Sequence, residues 1–259
     1  MNHLFARELR RTGRFLALLA AAFLGLWRHR RLPRNPSRAQ SASWLHQSCI
    51  RGLRAIHVEL QVEGELPAGG LIVSNHLSYL DIMAFSAALP CVFVSKAEVE
   101  QWPIFGRYAR WSGTVFVRRR DQSDSSRANL DVGNYLQNGV PVILFPEGTT
   151  SDGGGVLRFH STMLQPAIDT GALITPCAIA YEAEDADVRE LCWVGDAPLV
   201  PHVLKLLGKK SIRARIVLGK PRLAGGERRE LSELLHDEVL GLYRQLHPPR
   251  PKPALGPGA

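Results

Sequence analysis

From His57 onward, short continuous apolar runs alternate with polar or amphipathic stretches, the pattern of buried strands joined by helices. The runs predict strands at His57–Val62, Leu71–Val73, Cys91–Val94, Thr114–Val117, Val140–Phe145, Leu173–Ala180, Glu190–Val194 and Ile212–Leu218. The intervening spacing predicts helices at Ser78–Ala88, Glu98–Trp111, Ser125–Asn138, Ser161–Asp169, Val203–Leu207 and Glu227–Leu246. Strands this apolar need cover on both faces. The expected fold is therefore α/β, with a mixed, largely parallel central sheet flanked by helices.

The N-terminal pattern differs. Phe15 to Trp27 runs 13 residues without a charge. As a helix it rises roughly 20 Å, short of a hydrocarbon core of about 30 Å. Arg7, Arg10, Arg11 and Arg14 precede it, and Arg28, Arg30 and Arg31 follow. Arginines on both sides suit an amphipathic, interfacial or shallowly inserted membrane-binding helix. A cleaved signal peptide is the competing reading, since Ala20-Ala21-Ala22 resembles a cleavage region, but the basic cluster after Trp27 opposes translocation. Residues 32–43 read as a linker, and Ala42 to Ile56 as a second amphipathic helix. The two helices either form a membrane-facing hairpin, or the second packs on the main domain. The chain thus divides into a basic helical region (1–54), an α/β domain (55–247) and a Pro/Gly-rich tail expected to be disordered (248–259).

Composition sharpens this division. Apolar residues make up 45% of the chain and charged residues 22%, which describes a folded protein. The net charge of +8 is unevenly spread: residues 1–54 hold 11 Arg and one Glu, whereas the rest is slightly acidic. The excess sits beside the most apolar segment, so anionic membrane lipids are the expected partner and nucleic acid is not. This predicts a monotopic or peripheral protein on the cytoplasmic face of the inner or cell membrane. Cys49, Cys91, Cys177 and Cys192 lack metal-site or redox spacing and read as buried thiols. Nothing in the sequence specifies an oligomeric state.

Two polar corners carry the candidate chemistry. Asn75-His76-Leu77-Ser78-Tyr79-Leu80-Asp81 follows the strand Leu71–Val73. On one continuous helix, positions five apart point roughly 140° away from each other. If the helix instead starts near Ser78, with Ser78 as its cap, His76 lies in the entry loop and Asp81 can bind one ring nitrogen. The other nitrogen is then left to act as a base. The plainer alternative is that Asp81 caps the helix and His76 is incidental. Phe145-Pro146-Glu147-Gly148-Thr149-Thr150-Ser151 forms the second corner, where Glu147 can bind acceptor hydroxyls, orient a basic group or only stabilise the turn. Arg118, Arg119 and Arg120 follow the strand Thr114–Val117, where open α/β sheets build sites, and one of them could bind a phosphate. Lys96 follows Cys91–Val94 and could meet substrate charge or only snorkel. There is no Gly-x-Ser-x-Gly elbow, dinucleotide fingerprint, Walker loop or His-Glu-x-x-His pattern.

These residues resemble four blocks of the membrane-associated glycerolipid acyltransferases. Asn75, His76 and Asp81 match the first block; Lys96, Pro103, Gly106, Gly113 and Arg119 the second; Phe145 to Thr149 the third; and Ile174 to Ile179 the fourth. The resemblance implies His76 as general base and Asp81 as its orienting partner. It also implies an acceptor site drawn from Asn75, Lys96, Arg118, Arg119, Glu147, Gly148, Thr149 and Arg158. The donor would be acyl-CoA or acyl carrier protein, a substrate, with no cofactor or metal. The usual acceptor is lysophosphatidic acid, giving phosphatidic acid. Lyso-ornithine lipid or another lysolipid is an alternative acceptor, and a non-catalytic membrane-surface protein is a third reading. Two departures bear on the acceptor: Thr150 stands where many members have Arg, and Phe159-His160-Ser161-Thr162 lacks the Lys and Gly that commonly follow. Arg158 or Arg118 could compensate. The Thr150-Ser151-Asp152-Gly153 run looks like the lyso-ornithine branch.

Overall fold

The computed structural model describes residues 2–102, 104–118, 122–195 and 197–247. Arg119, Pro103 and the tail 248–259 lie outside them. The strands β1 (Val58–Glu63), β2 (Leu71–Ser74), β3 (Val92–Lys96), β4 (Val115–Val117), β5 (Val142–Leu144), β6 (Leu173–Ala183), β7 (Ile212–Leu218) and β8 (Arg222–Leu223) form one sheet. Its order is β1-β7-β6-β2-β5-β3-β4, with β8 on β6. Pairs from β6 through β4 are all parallel, whereas β7 and β8 run antiparallel to β6. The fold is thus α/β with a mixed, mostly parallel sheet.

The helices are α1 (Asn2–His29), α2 (Arg38–Ala55), α3 (Leu80–Ala88), α4 (Phe105–Trp111), α5 (Gln122–Gln137), α6 (Gln165–Thr170), α7 (Leu199–Leu207) and α8 (Arg228–Leu246). β2 and β5 are buried along their whole length, so helices cover both faces. On one face Trp44, Leu53, Leu80 and Phe85 of α2 and α3 meet Phe93, Ile143 and Ile179. On the other, Val132, Ala167, Leu235 and Val239 of α5, α6 and α8 meet Leu71, Val73, Val142 and Ile174.

Several elements differ from expectation, each for a local reason. Glu190–Val194 is not a strand: Asp187 and Glu190 form a capping box that turns Val188–Glu190 into a 3-10 helix, and the chain then loops. The predicted helix Glu98–Trp111 is two pieces, a 3-10 helix at Ala97–Gln101 and then α4. Trp102 precedes Pro103 and takes the extended conformation such residues favour, φ −69°, ψ 136°. The stretch Ser161–Asp169 likewise begins as a 3-10 turn, Thr162–Leu164, and continues as α6 with Pro166 in its first turn. α2 starts at Arg38, inside the expected linker, because Ser37 and Gln40 form a capping box. α3 starts at Leu80, so Ser78 is not its cap.

α1 extends well beyond the apolar run at both ends. Leu9, Leu16, Leu19, Phe23 and Trp27 stay exposed along one side. The opposite side carries arginines to the end of α7: Arg10 donates to Gly208 O, Arg11 to Leu204 O, and Arg14 to Leu207 O, Lys209 O and Lys210 O. Arg14 is buried there, satisfying carbonyls that a helix C-terminus leaves unpaired. α2 instead contributes Trp44, Leu45 and Leu53 to the core. No helix among the described residues is long and apolar enough to cross a membrane.

Candidate active site

The parallel strands deliver the polar corners to one end of the sheet. His76 lies just past β2, Glu147 just past β5, Lys96 ends β3 and Arg118 follows β4. Open α/β sheets place their sites at this carboxyl end.

His76 Nδ1 lies 2.6 Å from Asp81 Oδ2. The same carboxylate oxygen accepts the backbone N–H of Leu77 at 2.7 Å and of Ser78 at 3.1 Å, while Oδ1 accepts the Tyr181 hydroxyl at 2.5 Å. Asp81 therefore both caps the turn and holds the imidazole. With the proton on Nδ1, the lone pair sits on Nε2, which makes no hydrogen bond among the described residues. The ring stacks on Phe145 at 4.1 Å and 9°. Asp81 is fully buried and His76 partly exposed, so the ring lies between the network and solvent.

The second corner grips the backbone of the first. The His76 N–H donates to Glu147 Oε1 at 3.1 Å, and the His76 carbonyl accepts the Ser151 N–H at 2.8 Å. Gly148 makes the turn at φ 65° while its N–H donates to Phe145 O, a conformation that costs glycine least. Glu147 is buried and its Oε2 meets no donor in hydrogen-bonding geometry. Burial pushes its carboxyl up to about 8, and the neighbouring Asp81 adds to the rise. The backbone groups of His76 and Leu157 pull the other way without cancelling it.

The remaining candidates divide into one buried residue and several exposed ones. Asn75 is fully buried, and its side chain exchanges hydrogen bonds with Ile179 N and O at 2.9 and 3.0 Å, which extends the β2–β6 pairing. It holds the corner in place. Lys96, Arg118, Thr149 and Arg158 are exposed, and the Arg118 N–H donates to Asp124 Oδ2 at 2.7 Å. Thr150 donates its hydroxyl to Trp193 O, and Trp193 N donates to Leu77 O at 2.9 Å. The loop expected as a strand is thus a clasp across both corners. Sequence reasoning missed Tyr181 and Trp193. The signal for Tyr181 was a phenol ending a continuous apolar strand, since a buried phenol normally finds a partner. Cys49, Cys91, Cys177 and Cys192 are buried free thiols. No group of three His, Cys, Asp or Glu among the described residues is arranged to hold a metal ion.

Residues 57–180 match the acyltransferase family model. The lyso-ornithine lipid O-acyltransferase of Pseudomonas aeruginosa is 33% identical over 244 residues, spanning 90% of this chain and 92% of that protein. The 1-acyl-sn-glycerol-3-phosphate acyltransferase of Neisseria gonorrhoeae is 40% identical over 167 residues, spanning 63% and 66%. The crystal structure of the 1-acyl-sn-glycerophosphate (LPA) acyltransferase PlsC from Thermotoga maritima shares the fold, with TM-score 0.68, 20% identity and coverage of 96% and 100%. With matches of this identity and extent, the chain belongs to the acyltransferase family of lysolipid and glycerolipid O-acyltransferases, and it is an enzyme of that kind.

Proposed function

We propose that the protein transfers an acyl chain from acyl-CoA or acyl carrier protein to the free hydroxyl of lyso-ornithine lipid. His76 Nε2 takes the hydroxyl proton as the oxygen attacks the thioester carbonyl. Collapse of the tetrahedral adduct breaks the C–S bond, the carrier leaves as thiolate, and the imidazolium returns the proton to it. No acyl-enzyme forms. The observation that carries this reading is the 2.6 Å contact between His76 Nδ1 and Asp81, which fixes the tautomer and stabilises the imidazolium as it forms. Glu147, whose Oε1 accepts the His76 backbone N–H, keeps the catalytic corner in place.

Two observations favour lyso-ornithine lipid over lysophosphatidic acid. The Pseudomonas relative aligns with this chain almost end to end, whereas the Neisseria match covers about two thirds. Thr150 places a hydroxyl turned toward Trp193 where many members have a guanidinium. Lysophosphatidic acid stays the second reading because the Neisseria enzyme is the more identical over its span, and Arg118 follows β4 at the site's end of the sheet. The test is competition between the two acceptors for one labelled acyl-CoA, with products read by mass. Acylated ornithine lipid should dominate; dominant phosphatidic acid would reverse the ranking. His76→Ala should abolish either product while leaving the melting temperature unchanged.

In this reading the body from 55 to 247 is catalytic, and within the basic region 1–54 it is α1 that associates with the membrane, α2 being packed in the core. The exposed α1 stripe would rest in an anionic cytoplasmic leaflet, and the exposed Arg28, Arg30 and Arg31 at its end would meet the head groups.

A further inference from the structure

Asp81 is a fully buried carboxylate in an acidic neighbourhood. Among the described residues the only basic side chain paired with it is His76. The other titratable groups that feel its charge, Tyr181, Cys192, Tyr243 and Glu147, are acids, held toward their neutral forms by burial with Asp81 adding to the effect. A charge in such a place depends on hydrogen bonds.

The donors are divided unequally between its two oxygens. Oδ2 receives His76 Nδ1 and the backbone N–H groups of Leu77 and Ser78. Oδ1 receives one donor among the described residues, the Tyr181 hydroxyl at 2.5 Å. That phenol is 1% exposed, and its ionisation is pushed well above the ordinary range by burial first and Asp81 next, so it stays a donor. The sheet delivers it. Cys177 on β6 lies opposite Ser74 on β2, and the Asn75 side chain clamps Ile179 through both its N–H and its carbonyl. Residues two apart on a strand share a face, so Tyr181 follows Ile179 into the core that α3 covers. A phenol buried this deeply reaches no substrate and can act on the reaction only through its partner.

We infer that Tyr181 is a positioning residue for the acyl transfer, its hydroxyl holding the charge and orientation of Asp81 so that the imidazolium formed at His76 faces a carboxylate. Without that donor, Oδ1 becomes a buried oxygen with no partner and takes up a proton from solvent. The neutral acid still accepts from Nδ1, but it offers no countercharge when His76 gains the proton of the lysolipid hydroxyl. The inference rests on the assignment of His76 as the base.

Tyr181→Phe removes one hydroxyl and keeps the ring that fills the core. Its kcat should fall roughly 10- to 100-fold, the rate equivalent of one hydrogen bond to a charged group, with acceptor KM within about two-fold of wild type. In the Asp81→Asn background the same substitution should change kcat by less than about two-fold, because Tyr181 acts through the charge of Asp81. Infrared difference spectra of Tyr181→Phe against wild type should show a new protonated-carboxyl C=O band. The band should be absent when the same difference is taken in the Asp81→Asn background. A merely structural phenol would lower the melting temperature and move none of these readouts. For Tyr181→Phe, kcat within about two-fold of wild type overturns the proposal, as does a fall in kcat without the carboxyl band. A further loss of about ten-fold in the Asp81→Asn background also overturns it, and that comparison decides the matter if Tyr181→Phe alone does not fold. Near-wild-type turnover by His76→Ala would strike the assigned base, whereas the infrared band reports the link between Tyr181 and Asp81 without turnover.

Discussion

Asp81 accepts four hydrogen bonds, and the one from His76 is held in place by the other three. An amide cannot accept at both of its ends. Asp81→Asn should therefore turn the imidazole or switch its tautomer, lowering kcat roughly 10²- to 10⁴-fold with little effect on acceptor KM. Steady-state kinetics check this. Glu147 gives a prediction of opposite character. Its carboxyl holds a proton up to about 8 when folded, against an ordinary value of 4.5. Between those limits the folded chain binds the proton more tightly than the unfolded chain. That contribution is full below pH 4.5 and is lost as pH rises through 8, amounting to at most about 5 kcal/mol. Urea midpoints at pH 5 and pH 8 should fall for the wild type and fall less for Glu147→Gln, which mimics the neutral acid. The placement of His76, Asp81 and Glu147 was legible in the sequence because His76 and Glu147 follow strand ends and Asp81 stands in the first turn of the next helix. Tyr181 was not, because its partner is 100 residues away and only the sheet joins them.

Elements show the same division between local and distant causes. The strand at Ile212–Leu218 has its expected bounds because buried positions alternate with Arg213 and Arg215, which pair with Glu59, Glu182 and Glu63, before the apolar Ile216–Leu218. Glu190–Val194 reads as a strand by its apolar run, but the Asp187–Glu190 capping box outweighs so short a stretch. The arginines of α1 were legible as charge and not as contacts. Arg10, Arg11 and Arg14 are spent on the α7 end and its following turn, so fewer charges face lipid than a count suggests. Arg14→Met should leave buried carbonyls unpaired at about 1–3 kcal/mol each, partly relieved by water. Its measurement is a lowered denaturation midpoint and faster amide exchange in α7.

At the scale of the whole molecule, the sheet brings the chemistry to one end while α1 leaves a stripe of apolar side chains exposed. Vesicle binding should weaken with added salt and should be lost in Leu16→Asp/Phe23→Asp without a change in melting temperature. Flotation with anionic and neutral vesicles reads this directly. The central claim is that His76 deprotonates a lysolipid hydroxyl for direct attack on a thioester. Its most direct measurement is single-turnover product formation from labelled acyl-CoA and lyso-ornithine lipid, wild type against His76→Ala, with trapping for acylated protein. Acylated lipid is expected from the wild type alone, with no acyl-enzyme in either. Near-wild-type turnover by His76→Ala, or a trapped acyl-enzyme, would contradict it.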